Sequence, residues 1–149
     1  MIVRALCFEA ERNNVQRCKA LLADGADVNG SFSMGFRPLF YAAMAGGEAT
    51  LGLLLSQRAD VRAKNQEGRT CLHWAVRNGH LNCARTLIAA KAAVDVRDEE
   101  GVAPIDLATA FSKEDCVRHP EAAVFMFGTA LSRQRTRLQL LHFFNDVLE

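Results

Sequence analysis

The fold is decided by residues 68–88, GRTCLHWAVRNGHLNCARTLI, and by what stands 33 positions away on either side. Leu72-His73-Trp74 in that stretch is preceded one step earlier by Leu39-Phe40-Tyr41 and two steps earlier by Leu6-Cys7-Phe8. Ile105-Asp106-Leu107 follows one step later. Each triplet is an aliphatic residue with an aromatic or large apolar residue two positions on. The same step joins Leu21-Leu22, Leu54-Leu55 and Leu87-Ile88, then Ala26-Asp27-Val28, Ala59-Asp60-Val61 and Ala92-Ala93-Val94, and also Gly35, Gly68 and Gly101. A fixed period of this size is the mark of stacked structural repeats, so it governs the reading of every segment.

Within a unit the apolar spacing predicts two short helices. In the third unit Leu72, Ala75 and Val76 mark the first, and Leu81, Ala84, Leu87 and Ile88 the second, at helical spacing. Gly79-His80 separates them, with glycine able to take the positive φ that ends a helix. Asn65-Gln66-Glu67-Gly68 reads as a tight turn between successive units. Two helices and a turn cannot bury an apolar face alone, whereas stacked units can, which predicts a quasi-linear solenoid. Composition agrees: alanine and leucine dominate, with three prolines and one tryptophan in 149 residues, which favours an all-α chain.

Gly68-Arg69-Thr70-Cys71-Leu72-His73-Trp74-Ala75, Asn78-Gly79-His80-Leu81 and Leu87-Ile88 together resemble an ankyrin repeat. Thr70 and His73 match that family's Thr-Pro-Leu-His signature, with Cys71 in the place of proline. Leu21 to Asn29 and Gly101 to Ala108 match in the first and fourth units, so the resemblance covers roughly residues 4–111. It implies an ankyrin solenoid in one domain over 1–149, with units at about 1–31, 32–64, 65–97 and a degenerate 98–131. Residues 132–149 are expected to form a C-terminal capping helix with Ser132 as its cap and Leu138, Leu141, Phe144, Val147 and Leu148 on its apolar face. The pattern fails after Phe111, because extending it would place Pro120 inside a helix. A loop around Ser112 to His119 is expected there instead.

Three departures carry expected penalties or constraints. Arg58 and Lys91 stand where Gly25 stands in the first unit, a helix end where a non-glycine residue costs about 1 kcal/mol. Gly52 inside a helix costs a similar amount, roughly 1 kcal/mol. Glu9 occupies a small apolar position and is tolerable because the first unit has no neighbour on its N-terminal side.

The chemistry-bearing classes are thinly represented. No nucleotide-binding glycine loop is present. Eighteen Lys plus Arg against 17 Asp plus Glu gives a net charge of +1, without the basic field that phosphate binding requires. No run of about 18 apolar residues is available to span a membrane. The five cysteines are scattered, with no Cys-x-x-Cys, and no apolar leader precedes them, which points to a reducing intracellular compartment, cytoplasmic or nuclear. Cys71-x-His73 and Cys116-x-x-His119 are lone pairs without finger spacing, so no metal or cofactor is expected. His73 and His80 read as backbone-bonding residues, and no nucleophile–base pair is visible, so no enzyme is expected.

The expected function is a protein-interaction module. The resemblance implies recognition through turn tips and the exposed side of each first helix, which line a concave surface. Carried onto this chain, the tips are Ser33, Met34 and Phe36; Gln66, Glu67 and Arg69; and Glu99, Glu100 and Val102. The helix positions are Met44 and Ala45, Arg77 and Asn78, and Ala110 and Phe111. Independently, Phe32, Met34 and Phe36 crowd apolar bulk into a turn where the other units place polar residues, which makes that turn the leading anchor. The alternative is packing of Phe32 or Phe36 against the first unit. Trp74 is expected in the core, in series with Phe8, Tyr41 and Leu107. Glu67, Glu99 and Glu100 form an acidic edge suited to a basic partner. The module acts as scaffold or adaptor, or alternatively as an inhibitor that masks a partner's active or binding site. The resemblance also marks Asn29 as a candidate for hydroxylation. A monomer is expected, with the final helix able to dimerise and the arginines at 133, 135 and 137 lending a local positive bias.

Overall fold

A computed structural model of the chain describes residues 1–108. Its helices are α1 (Ile2–Glu11), α2 (Val15–Ala23), α3 (Pro38–Ala45), α4 (Glu48–Ser56), α5 (Cys71–Arg77), α6 (Leu81–Ala89) and α7 (Pro104–Ala108), with a 3₁₀ turn at Ser33–Gly35. Among the described residues there is no strand, and no helix is long and apolar enough to cross a membrane. The described residues are all-α, as the composition and period predict. The expected loop, the later helices, Ala110, Phe111, Cys116 and His119 lie outside the described residues.

The helices form two layers. α1, α3, α5 and α7 pack in sequence as the inner layer, α2, α4 and α6 as the outer one, and each of the first three units closes as a hairpin between the layers. Leu6, Leu39 and Leu72, the first residues of the repeated triplets, are buried at 0–2% exposure, and Leu51, Leu54 and Leu87 complete one core with Phe40, Ala43, Ala75 and Val76. Full burial of each leucine stabilises the stack by roughly 1.5–3 kcal/mol.

Local chemistry sets the helix ends. Pro38 occupies the first turn of α3, where its missing N–H costs nothing. The Asn14 side chain accepts from Arg17 N at 3.2 Å to cap α2. Asn13 reaches across units, accepting from Thr50 N at 3.1 Å inside the first turn of α4. Gly46 ends α3 at φ +72, and a Cβ there would lie 2.5 Å from His80 Nδ1, so both backbone conformation and close approach require glycine. His80 in turn donates from Nε2 to Met44 O at 2.9 Å, tying the second unit to the third. Arg58 (φ +65) and Lys91 (φ +71) occupy the same left-handed helix end as Gly25 (φ +89). Glu9 is half-buried, and its carboxylate accepts from Asn14 Nδ2 at 3.0 Å.

Candidate functional site

The turns preceding the inner helices are built on one backbone plan with different side chains. Asn65 N donates to Arg69 O and Asp98 N to Val102 O, both at 2.9 Å, while Phe32 N donates to Phe36 O at 2.7 Å. Asn65 Oδ1 then accepts from Glu67 N and Arg69 N at 3.0 and 2.9 Å. Asp98 Oδ1 accepts from Glu100 N and Val102 N at 3.0 and 2.9 Å. Phe32 has no acceptor to offer, and in its turn Met34 takes a left-handed φ of +54, a conformation that costs a non-glycine residue about 1–2 kcal/mol. Gln66 N donates to Met34 O and Glu99 N to Glu67 O, each at 3.0 Å, so successive tips are stitched into a row.

At the third and fourth units the row carries charge. Arg69 bonds Asp98 at 3.0 Å, Glu67 at 3.1 Å and Glu100 at 3.1 Å, and its guanidinium lies 5.6 Å from the Trp74 ring centroid. Arg77 covers the same ring at 5.5 Å. Burial opposes ionisation of Asp98, but the Arg69 guanidinium and the amides of Val102 and Glu100 outweigh it and hold the carboxyl below its ordinary range. His73, buried beneath, accepts at Nδ1 from Thr70 N at 3.0 Å and from Thr70 Oγ1 at 2.9 Å, and its Nε2 donates to Val102 O at 3.1 Å. Desolvation pushes its pKa down, so the neutral imidazole that these bonds need is the form held. Above these groups opens a cavity of about 450 Å³ bounded by Arg69, Trp74, Arg77, Glu100, Val102 and Leu107.

The first two units present a different surface. A cavity of about 480 Å³ lies between α1, α3 and the second unit's turn, lined by Phe8, Phe32, Tyr41 and Ala5 with Arg4 and Glu11 at its rim. Phe8, Phe32 and Met34 are 45–52% exposed. Arg4 stacks on Phe32 at 5.7 Å and Arg12 on Phe8 at 4.9 Å. Phe36 joins the two cavities: its half-buried ring lies 5.6 Å from Phe40, 5.9 Å from Tyr41 and 5.6 Å from Trp74.

Several expected residues therefore converge and others do not. Arg69, Arg77, Glu100 and Val102 line one cavity, while the Phe36 ring packs on Phe40 and Tyr41 of α3 and Trp74 of α5. Glu99 is exposed, and Gln66 and Glu67 sit at the adjoining tip. Met44 and Asn78 stand apart, with the Asn78 side chain donating to Met44 O at 2.8 Å. The Asn29 amide bridges units, accepting from Asp60 N at 2.7 Å and donating to Arg58 O at 3.2 Å.

Trp74 corrects the expectation of a core tryptophan. It is half-buried, Phe8 in the same series is 52% exposed, and Tyr41 and Leu107 are half-buried. Two residues on an α-helix turn through roughly 200°, so the last residue of each triplet leaves the core that its first residue enters. The core sits at the first and middle positions, Leu72 and His73 in the third unit, and the series 8, 41, 74 and 107 lines the open face. The series Phe8, Tyr41, Trp74 and Leu107 is large throughout, so its residue types gave no signal of this orientation.

Burial keeps the described cysteines as thiols, pushing Cys7 and Cys71 up to about 12 and Cys18 and Cys83 to about 11. The thiolate is the nucleophile and metal ligand, so none of these four is poised for either chemistry. Among the described residues no group of three His, Cys, Asp or Glu could hold a metal ion.

Comparison with known proteins agrees with this architecture. Residues 39–88 match the family profile described as ankyrin repeats, many copies. Human cyclin-dependent kinase inhibitor 2A is 35% identical over 119 residues, 79% of this chain and 76% of that protein. The chain belongs to the ankyrin-repeat family. Rat cyclin-dependent kinase 4 inhibitor B is 34% identical over 119 residues, again 79% of this chain and 91% of that protein. Alpha-latrocrustotoxin-Lt1a of Latrodectus tredecimguttatus is 38% identical over 102 residues, 68% of this chain but only 7% of that much longer protein. Ankyrin repeats mediate protein–protein interaction, and that coarse role extends to this chain.

Proposed function

We propose that this ankyrin-repeat chain is a non-catalytic module that binds a protein partner on the face of turn tips and inner helices. The observation that carries the reading is the exposure of Phe8 and Phe32 at one cavity, with Met34 exposed on the same turn as Phe32, where the equivalent turns of the third and fourth units are tied by Asn65 and Asp98. Exposed large apolar groups cost solubility unless covered, and the helices beneath them form a rigid base that needs little ordering on binding. Affinity capture from cell extract with the wild type and with Phe8→Glu/Met34→Glu tests it. Loss of specific partners at unchanged thermal unfolding supports the reading, and retention of the same partners moves the site elsewhere.

A second reading, masking of a partner enzyme, is favoured by the coverage of 76% and 91% of two relatives named as cyclin-dependent kinase inhibitors. Purified cyclin-dependent kinases titrated with the full chain separate the two. A fall in kinase activity with saturable binding assigns an inhibitor, and binding of several partners without loss of their activities assigns a scaffold.

A further inference from the structure

The two cavities differ in the side chain each would accept. Among the described residues the exposed large hydrophobics, Met1, Ile2, Phe8, Phe32 and Met34, all fall within the first 34 positions. The cavity that Met1, Phe8 and Phe32 line has Arg4 and Glu11 offsetting each other in its wall, so its preference is for apolar bulk, and Met34 is exposed on the adjoining turn. At the other end the Arg69 guanidinium is paired with Glu67, Asp98 and Glu100 and only 15% exposed, so the exposed charge of the two tips is that of Glu67, Glu99 and Glu100, with Arg77 set farther in over the Trp74 ring. Glu100 is 72% exposed, and carboxylates this close act together, since the screening length at physiological salt is about 8 Å. Over these tips a basic side chain is favoured over an acidic one.

Resting on the reading of this face as the binding surface, we infer that its occupant is a partner segment of mixed chemistry. A large apolar side chain seats between α1, α3 and the second unit's turn, and Lys or Arg side chains follow over the tips of the third and fourth units. The spacing comes from the aromatic bridge: Tyr41 at the first cavity is 5.9 Å from Phe36, which is 5.6 Å from Trp74 at the second. An extended chain rises about 3.3 Å per residue, so about four residues separate the anchor from the first basic side chain. The apolar contact supplies affinity, while the charges set orientation and speed encounter.

Selection of short random peptides displayed on phage against the full chain tests this, followed by affinity measurement on the enriched peptide. The expected consensus is one aromatic or large aliphatic residue and two or more Lys or Arg about four positions away. Binding should weaken about tenfold with Phe8→Ser/Met34→Ser and about tenfold with Glu99→Lys/Glu100→Lys. Glu99→Gln gives a smaller loss and serves if the double reversal disturbs folding. Raising NaCl from about 0.05 to about 0.5 M should weaken wild-type binding more than that of the charge variant. Enriched peptides without basic residues, or affinity indifferent to salt and to the glutamate variants but lost with the Phe8/Met34 pair, would overturn the inference while leaving the binding face in place. Affinity unmoved by either set of variants removes both. No enrichment over a blank surface also counts against the proposal. So does displacement of the peptide by a synthetic 132–149 segment, or a dimer in sedimentation that Met34→Glu splits, since the occupant would then be this chain itself.

Discussion

The second and third units place different chemistry on the same backbone. Where the second has Phe32, Phe36, Phe40 and Tyr41, the third has Asn65, Arg69, His73 and Trp74 at the equivalent positions. In the third unit Asn65 ties its own turn, Arg69 pairs with three carboxylates, and His73 joins Thr70 to Val102 of the next turn, while the buried Trp74 Nε1 has no hydrogen-bond partner among the described residues. In the second, ring packing around Phe36 does the same work, and the turn is left with an exposed Phe32 and a left-handed Met34. The lesson is that inter-unit cohesion can be polar or apolar, but only the apolar version leaves large hydrophobic groups at a tip.

The sharpest way to break the comparison is His73→Phe, which gives the third unit the second unit's residue. It leaves Val102 O and the Thr70 groups without their partner in a buried setting, and we expect a loss of about 2–4 kcal/mol in urea denaturation. The same variant tests pH dependence. The folded-state pKa of His73 lies below its ordinary value of 6.5, so the unfolded chain takes up the proton first on acidification. Stability from this group is complete above about pH 6.5 and falls as pH drops toward the folded pKa. His73→Phe should remove that part of the slope.

Asp98→Asn comes next in size. It preserves the side-chain-tied turn seen at Asn65 and removes the ion pair with Arg69, for an expected loss of about 1–2 kcal/mol at neutral pH. Because the Asp98 pKa is depressed, its contribution is present above the unfolded carboxyl pKa of about 3.9 and is lost as pH falls through the folded value. The variant should therefore lie closer to wild type in the most acidic part of the stability curve than at pH 7.

The repeat, the helix pairs and the leucine core were legible because a period of 33 fixes which positions must coincide in stacked units. The tips were legible for the same reason, which is how Arg69, Glu100 and Val102 came to be expected together. Trp74 was not. Leu72 and Trp74 flank His73 in its triplet, and a sequence cannot separate the residue that enters the core from one that turns out to the open face when both are large and apolar. Asn78 misled in the opposite sense: a polar residue at an exposed helix end looks available for recognition, but its amide is engaged with the Met44 carbonyl of the preceding unit. Arg4 and Arg12 were missed because stacking on Phe32 and Phe8 depends on the packing of α1 against α3, which local spacing does not encode.

Phe32→Asn converts the comparison in the reverse direction, offering the second turn the acceptor that Asn65 and Asp98 supply to theirs. Phe32 N already donates to Phe36 O, so only the side-chain tie is added, and we expect a gain of about 1 kcal/mol in stability together with weaker partner binding. Stability and binding moving in opposite directions would show that this turn is kept apolar for recognition. Stability falling instead would mean that Phe32 packs to better effect than its exposure suggests.

The smallest effects are expected at the helix ends, where side-chain chemistry drops out and backbone alone is compared. Gly25, Arg58 and Lys91 hold the same left-handed conformation in successive units, and a Cβ at Gly25 would meet nothing within 4 Å. The three sites therefore differ in strain more than in packing. Arg58→Gly and Lys91→Gly should each stabilise by up to about 1 kcal/mol, reduced by the extra freedom glycine brings to the unfolded chain, and Gly25→Ala should cost a similar amount. Equal and additive shifts in denaturation midpoint would show that the units tolerate the same strain independently. A larger response at Arg58 than at Lys91 would locate the difference in its neighbour, since the Arg58 carbonyl is the one that accepts from Asn29.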